Sequence, residues 1–167
     1  TIWPLDTLKD VAETARKHGM RVHMDGARLP NAVVASGISF AEFAAPCDSA
    51  WIDLSKGLGC PIGGVLAGSK DFIEECWRFK HQFGGALRQS GIVAAAGIHA
   101  LDHHIERLGD EHARARRLAE GIDDVDGISV DPESVETNMV FLDVSGTGIG
   151  APEFSRRLMA EHEVKIS

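Results

Sequence analysis

The chain has 167 residues and a formal charge of −8. That is long enough to bury a sizeable core, and too acidic for a nucleic-acid partner or an anionic membrane surface. No stretch approaches the roughly 18 consecutive apolar residues that span a bilayer, and no secretory leader pattern is evident. Cys47, Cys60 and Cys76 are odd in number and lack metal spacing, which points to small core residues in a reduced, cytoplasmic compartment.

In chain order, Pro4 to His18 reads as a helix, with Leu5, Leu8, Val11, Ala12 and Ala15 on one face and Gly19 as its stop. Arg21 to Met24 is a short strand ending in the turn Asp25-Gly26. Leu29 to Ser36 is helical, with Pro30 confined to its first turn. Ser39 caps a short helix, Phe40 to Ala45, and Glu42 takes the capping-box position. Ser49 to Leu54 and Val65 to Ala67 are the next strands, and Ser69 to Gln82 is an amphipathic helix broken by Gly84-Gly85. Gln89 to about Gly121 is helical again, in two pieces that meet near Gly109. Its opening, Gly91 to Gly97, is small and apolar, suited to close packing in a core or against a partner subunit. Beyond it, Ile128 to Val130, Met139 to Val144 and Val164 to Ile166 read as strands, and Pro152 to His162 reads as a helix.

Two charged elements stand at strand ends, where open α/β sheets bind ligands. One is Asp25-Gly26-Ala27-Arg28; the other is Leu54-Ser55-Lys56-Gly57-Leu58-Gly59-Cys60-Pro61. An amine, a carboxylate and a guanidinium there suit covalent imine chemistry with a pyridoxal-type cofactor. Lys56 supplies the amine. Asp25 keeps a pyridine nitrogen protonated, and Arg28 forks onto a carboxylate or phenolate oxygen. The plainer reading makes Asp25 a turn residue and Arg28 its salt-bridge partner. His23 lies two residues before Asp25, on the same side of the strand. It either hydrogen-bonds Asp25 or is satisfied in the core.

His99 and His103 have helical spacing, but Ala100 follows His99 where zinc proteases need a glutamate, so no metal site is assigned. Gly57, Gly59 and Gly63 follow a strand with no room for a helix before Val65, which rules out a dinucleotide fingerprint. Gly146, Gly148 and Gly150 read as a turn into the helix that opens near Pro152.

The strand-end motifs, with Gly84-Gly85-x-x-Arg88-Gln89-Ser90-Gly91 and more faintly Thr137 to Phe141, resemble the low-specificity L-threonine aldolase family. That family belongs to the β-eliminating lyase group of pyridoxal-phosphate enzymes with the aspartate-aminotransferase fold. The resemblance implies an α/β chain in two parts. Residues 1–98 would be the later part of a PLP-binding large domain with a mixed, mostly parallel sheet. Residues 99–121 would be a connecting helix, and 122–167 a small, incomplete C-terminal α/β domain. It implies that Lys56 forms a Schiff base with pyridoxal 5'-phosphate, that Asp25 pairs with the pyridine nitrogen, and that Arg28 helps hold the cofactor oxygen and the substrate carboxylate. It also implies that Arg88 reaches a cofactor phosphate, in this family often that of the neighbouring subunit.

The implied reaction cleaves threonine, allo-threonine or a bulkier β-hydroxy-α-amino acid to glycine and an aldehyde, in a homodimer or homotetramer with shared active sites. Rival readings are another lyase, racemase or aminotransferase chemistry, or a non-catalytic assembly module. The chain begins at Thr1 rather than methionine. The family's upstream glycine turn and ring-stacking histidine, and a substrate-gripping arginine further on, are expected outside it. His81 stands where some members carry a basic residue.

Overall fold

The computed structural model describes residues 2–166, which divide into two compact units, Ile2–Gly109 and residues 110–166.

In the first unit α1 covers Leu5–Lys17. Pro4 sits at its N-cap, and Arg16 and Lys17 stand in the last turn, where cations offset the carbonyl end of the helix dipole. Gly19, at φ 69°, ends it in the left-handed region that glycine adopts freely. The strand β1 (His23–Gly26) follows, two residues later than the apolar run alone suggests. Helix α2 (Leu29–Ser36) carries its proline in the first turn and closes on Gly37, whose N–H donates to the Val33 carbonyl. Helix α3 (Phe40–Ala44) has the full reciprocal capping box between Ser39 and Glu42. Strands β2 (Ser49–Asp53) and β3 (Gly64–Gly68) complete the sheet. Helix α4 (Lys70–Gln82) is capped by the Ser69 hydroxyl, and α5 (Ser90–His103) follows the glycine break.

The sheet order is β1-β2-β3. The β1–β2 pair is parallel and the β2–β3 pair antiparallel. The sheet is therefore mixed, but among the described strands it is not mostly parallel. The tight connection from β2 to β3 has no helix, and only an antiparallel return is that short.

Leu8, Leu29 and Phe43 form one core, packed by Met24 and Ile52 from the sheet. Each such burial stabilises by roughly 1.5–3 kcal/mol. A second core joins Leu54, Leu58, Cys60, Ala100 and Leu108.

Helix α6 (Leu108–Asp123) leads into the second unit, and the break before it falls at residues 104–107. Helix α7 (Ala151–His162) follows Gly150 with its proline in the first turn. The strands expected at 128–130 and 139–144 shrink to one antiparallel bridge, Ser129 with Asp143, and none forms at 164–166. Short turns of 3-10 helix at Pro132–Ser134 and Ser145–Thr147 bend the chain away on either side. A lone two-stranded pair is marginal in any case. At this bridge Gly127 and Gly146 meet backbone to backbone; a Cβ on Gly146 would lie 2.9 Å from the Gly127 Cα. The glycine pattern at 146–150 is thus a turn with a close approach, not a nucleotide cradle. No helix among the described residues is long and apolar enough to cross a membrane.

Candidate active site

Register brings the site together. His23 pairs with Ser49, and Asp25 with Trp51. Alternate residues share a face of a strand, so His23 and Asp25 on β1 stand with Ser49, Trp51 and Asp53 on β2. The bond between His23 Nδ1 and Ser49 Oγ, 2.8 Å, lies on that face. Met24 and Ile52 point to the other side, into the Leu8 core. Because β1 and β2 run parallel, their C-terminal ends open at the same edge.

Asp25 is exposed there, and its Oδ1 accepts the Ala27 N–H at 3.1 Å. The carboxylate thus closes its own turn with one oxygen and keeps the other free of that bond. Gly26 is demanded by the sheet, since a Cβ there would lie 2.3 Å from the Trp51 carbonyl oxygen. His23 is exposed and bonds Ser49, correcting both earlier alternatives for it. Residues i and i+2 of one strand are about 6.6 Å apart, whereas the neighbouring strand is about 4.8 Å away.

Lys56 projects from a loop pinned on its inner side. Leu54, Leu58 and Cys60 are buried together. Cys60 N–H donates to the Leu54 carbonyl and Gly59 N–H to the Lys56 carbonyl, each at 2.9 Å. His104 donates from Nδ1 to the Leu58 carbonyl at 2.7 Å. Gly59, at φ 71°, turns the chain where a side chain would strain it.

On the outer side Lys56 Nζ lies 3.5 Å from Asp53 Oδ2 and 5.9 Å from the centre of the Trp51 ring. The Lys56 side chain is 38% exposed, so the strand end gives the amine less cover than a closed cleft would. Asp53 is 14% exposed. The Ser55 hydroxyl and then the Ser55 N–H, which both donate to Oδ1, hold its carboxyl below the usual range, and Lys56 adds to this.

Sequence reasoning missed Asp53, Trp51 and Ser55. The alternation 49-51-53 along β2 was the available signal for the first two. The Asp-x-Ser spacing of a side-chain turn was the signal for the third.

Arg28 caps α2 at an exposed position, and Arg88 is exposed in the turn before α5. No hydrogen bond or ion pair among the described residues joins either of them to Lys56 or Asp25. The His99 and His103 rings lie 4.6 Å apart between centres, tilted by 53°, and no group of three metal-ligating side chains gathers among the described residues.

An amine and carboxylates gathered at the C-terminal ends of adjacent parallel strands define an α/β protein of the class that binds ligands at such an edge. The comparisons narrow this class. A family model for the beta-eliminating lyases matches residues 1–145, and the chain belongs to that family. It is 40% identical over 149 residues to low-specificity L-threonine aldolase 1 of Arabidopsis thaliana, covering 89% of this chain and 42% of that protein. It is 41% identical over 165 residues to the low-specificity L-threonine aldolase of Candida albicans, covering 99% of this chain and 44% of that one. A solved structure from Exiguobacterium sp. 255-15, a candidate aromatic amino acid beta-eliminating lyase/threonine aldolase, superposes with a TM-score of 0.76 at 30% identity over 85% of this chain and 40% of that one. The chain therefore spans about two fifths of the length of the relatives it matches.

Proposed function

We propose that this chain carries the lysine-bearing part of a pyridoxal-phosphate-dependent aldolase that cleaves a β-hydroxy-α-amino acid to glycine and an aldehyde. One observation carries the reading: Asp25 shares a strand face with Trp51 and Asp53, and the Lys56 amine lies against those two residues at the open edge of the parallel pair. That donor set fits the cofactor, which needs an amine for its carbonyl carbon and an anion for its ring nitrogen. When bound, pyridoxal 5'-phosphate supplies an electron sink for a carbanion at the substrate's Cα.

The chain's own groups then have distinct tasks. Lys56 would hold the group by its carbonyl carbon and give way to a substrate amine. Asp25 would keep a proton on the ring nitrogen. Arg28 offers a planar fork to a carboxylate or phenolate oxygen. Arg88 serves a phosphate in a site shared with a second copy.

The assembly is a homodimer or homotetramer, and bare apolar side chains on α4 and α5 support this. Trp77 is 53% exposed and Ile92 76%. Large apolar patches on a protein surface mark interaction sites. A cytoplasmic location agrees with three free cysteines.

Two measurements on the protein loaded with pyridoxal 5'-phosphate test this. Borohydride reduction fixes the cofactor on the peptide that contains Lys56. Threonine, allo-threonine or a bulkier analogue then yields glycine and the matching aldehyde. Label on Lys70 or Lys80 removes the lysine assignment. Ammonia and the 2-oxo acid that keeps the whole carbon chain (2-oxobutanoate from threonine) in place of aldehyde establish elimination, and no label at all establishes a non-catalytic module.

A further inference from the structure

Lys56 is docked against its own strand. Its nitrogen stands 3.5 Å from Asp53 Oδ2, at the edge of the Trp51 ring face. Asp53 is itself held from the opposite oxygen: the Ser55 N–H and O–H reach Oδ1 at 2.7 and 2.6 Å. That leaves Oδ2 to the lysine. Side-chain exposure of 14% makes this the more sheltered of the two charges.

We propose that Asp53 is the counter-ion of the Lys56 nitrogen, a positioning residue that faces it both as free ammonium and as the protonated imine formed when Lys56 captures a carbonyl carbon. The charge balance explains why one carboxylate serves both states. In capture the C=N bond forms and the C=O bond breaks. Two of the three ammonium protons leave with the carbonyl oxygen as water, and the third stays on nitrogen. The nitrogen therefore carries one positive charge before and after. A fixed anion beside it needs no rearrangement between the two, which is how preorganised charge works best.

Other charged groups on this face are few. Asp25 and His23 stand on β1, Asp25 with Oδ1 on the Ala27 N–H and His23 on Ser49. Arg28 follows two residues after the end of β1. The face positions of β3 are Gly64, Leu66 and Gly68, none of which titrates. His104, at the end of α5, is engaged with the Leu58 carbonyl.

The inference rests on Lys56 being the cofactor lysine, and its test separates the two. The visible absorption of the protein loaded with pyridoxal 5'-phosphate is followed against pH, and the same samples are reduced with borohydride and digested. Asp53→Asn keeps an oxygen for both Ser55 donors, removes the charge and puts an uncharged amide NH2 where Oδ2 faced the lysine. The pH at which the imine loses its proton is expected to fall by about one unit, the low end for an opposite charge at this range because the site is partly open. Asp53→Glu should recover part of that fall. Ser55→Ala, which loosens the carboxylate without removing it, should shift the midpoint the same way by less, and it substitutes for Asp53→Asn if that variant does not fold. An unchanged midpoint in these variants, with the label still on Lys56, overturns the role of Asp53 alone. Absence of label on Lys56 in the unaltered protein overturns the lysine assignment, and this inference falls with it.

Discussion

Within the loop from Leu54 to Cys60 the inward residues do the holding and the outward ones present the polar groups. Leu54, Leu58 and Cys60 are buried, while Ser55 and Lys56 face solvent beside Asp53. Asp25 is built on a similar plan: one oxygen serves its own turn, and the other is free of that bond. If that second oxygen keeps a ring nitrogen protonated, Asp25→Asn should leave the borohydride label on Lys56 and lower kcat on the order of 10²-fold. The label isolates binding from chemistry. A kcat within about threefold of the unaltered protein, under 1 kcal/mol of barrier, would remove Asp25 from the mechanism.

At the scale of elements, the parallel pairing of β1 with β2 puts the two strand-end motifs at one edge. At Gly26 that pairing leaves no room for a side chain. A methyl group there would meet the Trp51 carbonyl at 2.3 Å, and backbone cannot yield as a flexible side chain can. Gly26→Ala should force the strands apart and destabilise the protein by about 1–3 kcal/mol, the usual cost of overpacking. Urea denaturation followed by tryptophan fluorescence measures this directly, since Trp51 lies at the junction. A midpoint equal to that of the unaltered protein would mean that the strands are not held this close in solution.

At the scale of the molecule, the chain leaves large apolar side chains bare. Phe83 is 83% exposed, just before the turn that carries Arg88. A second copy covering this region would bring Arg88 to a phosphate in the other subunit's site. Arg88→Ala should then weaken retention of pyridoxal 5'-phosphate and loosen the dimer together, because a ligand bound only by the assembled form stabilises it by mass action. Mixing Arg88→Ala with Lys56→Ala subunits should restore some activity, since one of the two shared sites receives both native residues. No recovery in verified mixed dimers would assign Arg88 to its own chain.

What the amino-acid sequence determined by itself is chiefly what short-range bonds decide. Pro4 and Gly19 bound α1, Ser39 and Glu42 cap α3, Ser69 caps α4, and a proline opens α7. Each involves partners within about one helical turn, so neighbouring letters carry the information. The strand-end placement of Asp25 and Lys56 was legible for a similar reason: each sits at the end of an apolar run. Only the tertiary structure decided which strands became neighbours. It gave His23 to Ser49 rather than Asp25, set the Trp51 ring beside the lysine nitrogen, and reduced two expected strands of the second unit to a single bridge. A strand is completed by partners far away in the chain, and its register depends on packing that no local pattern encodes.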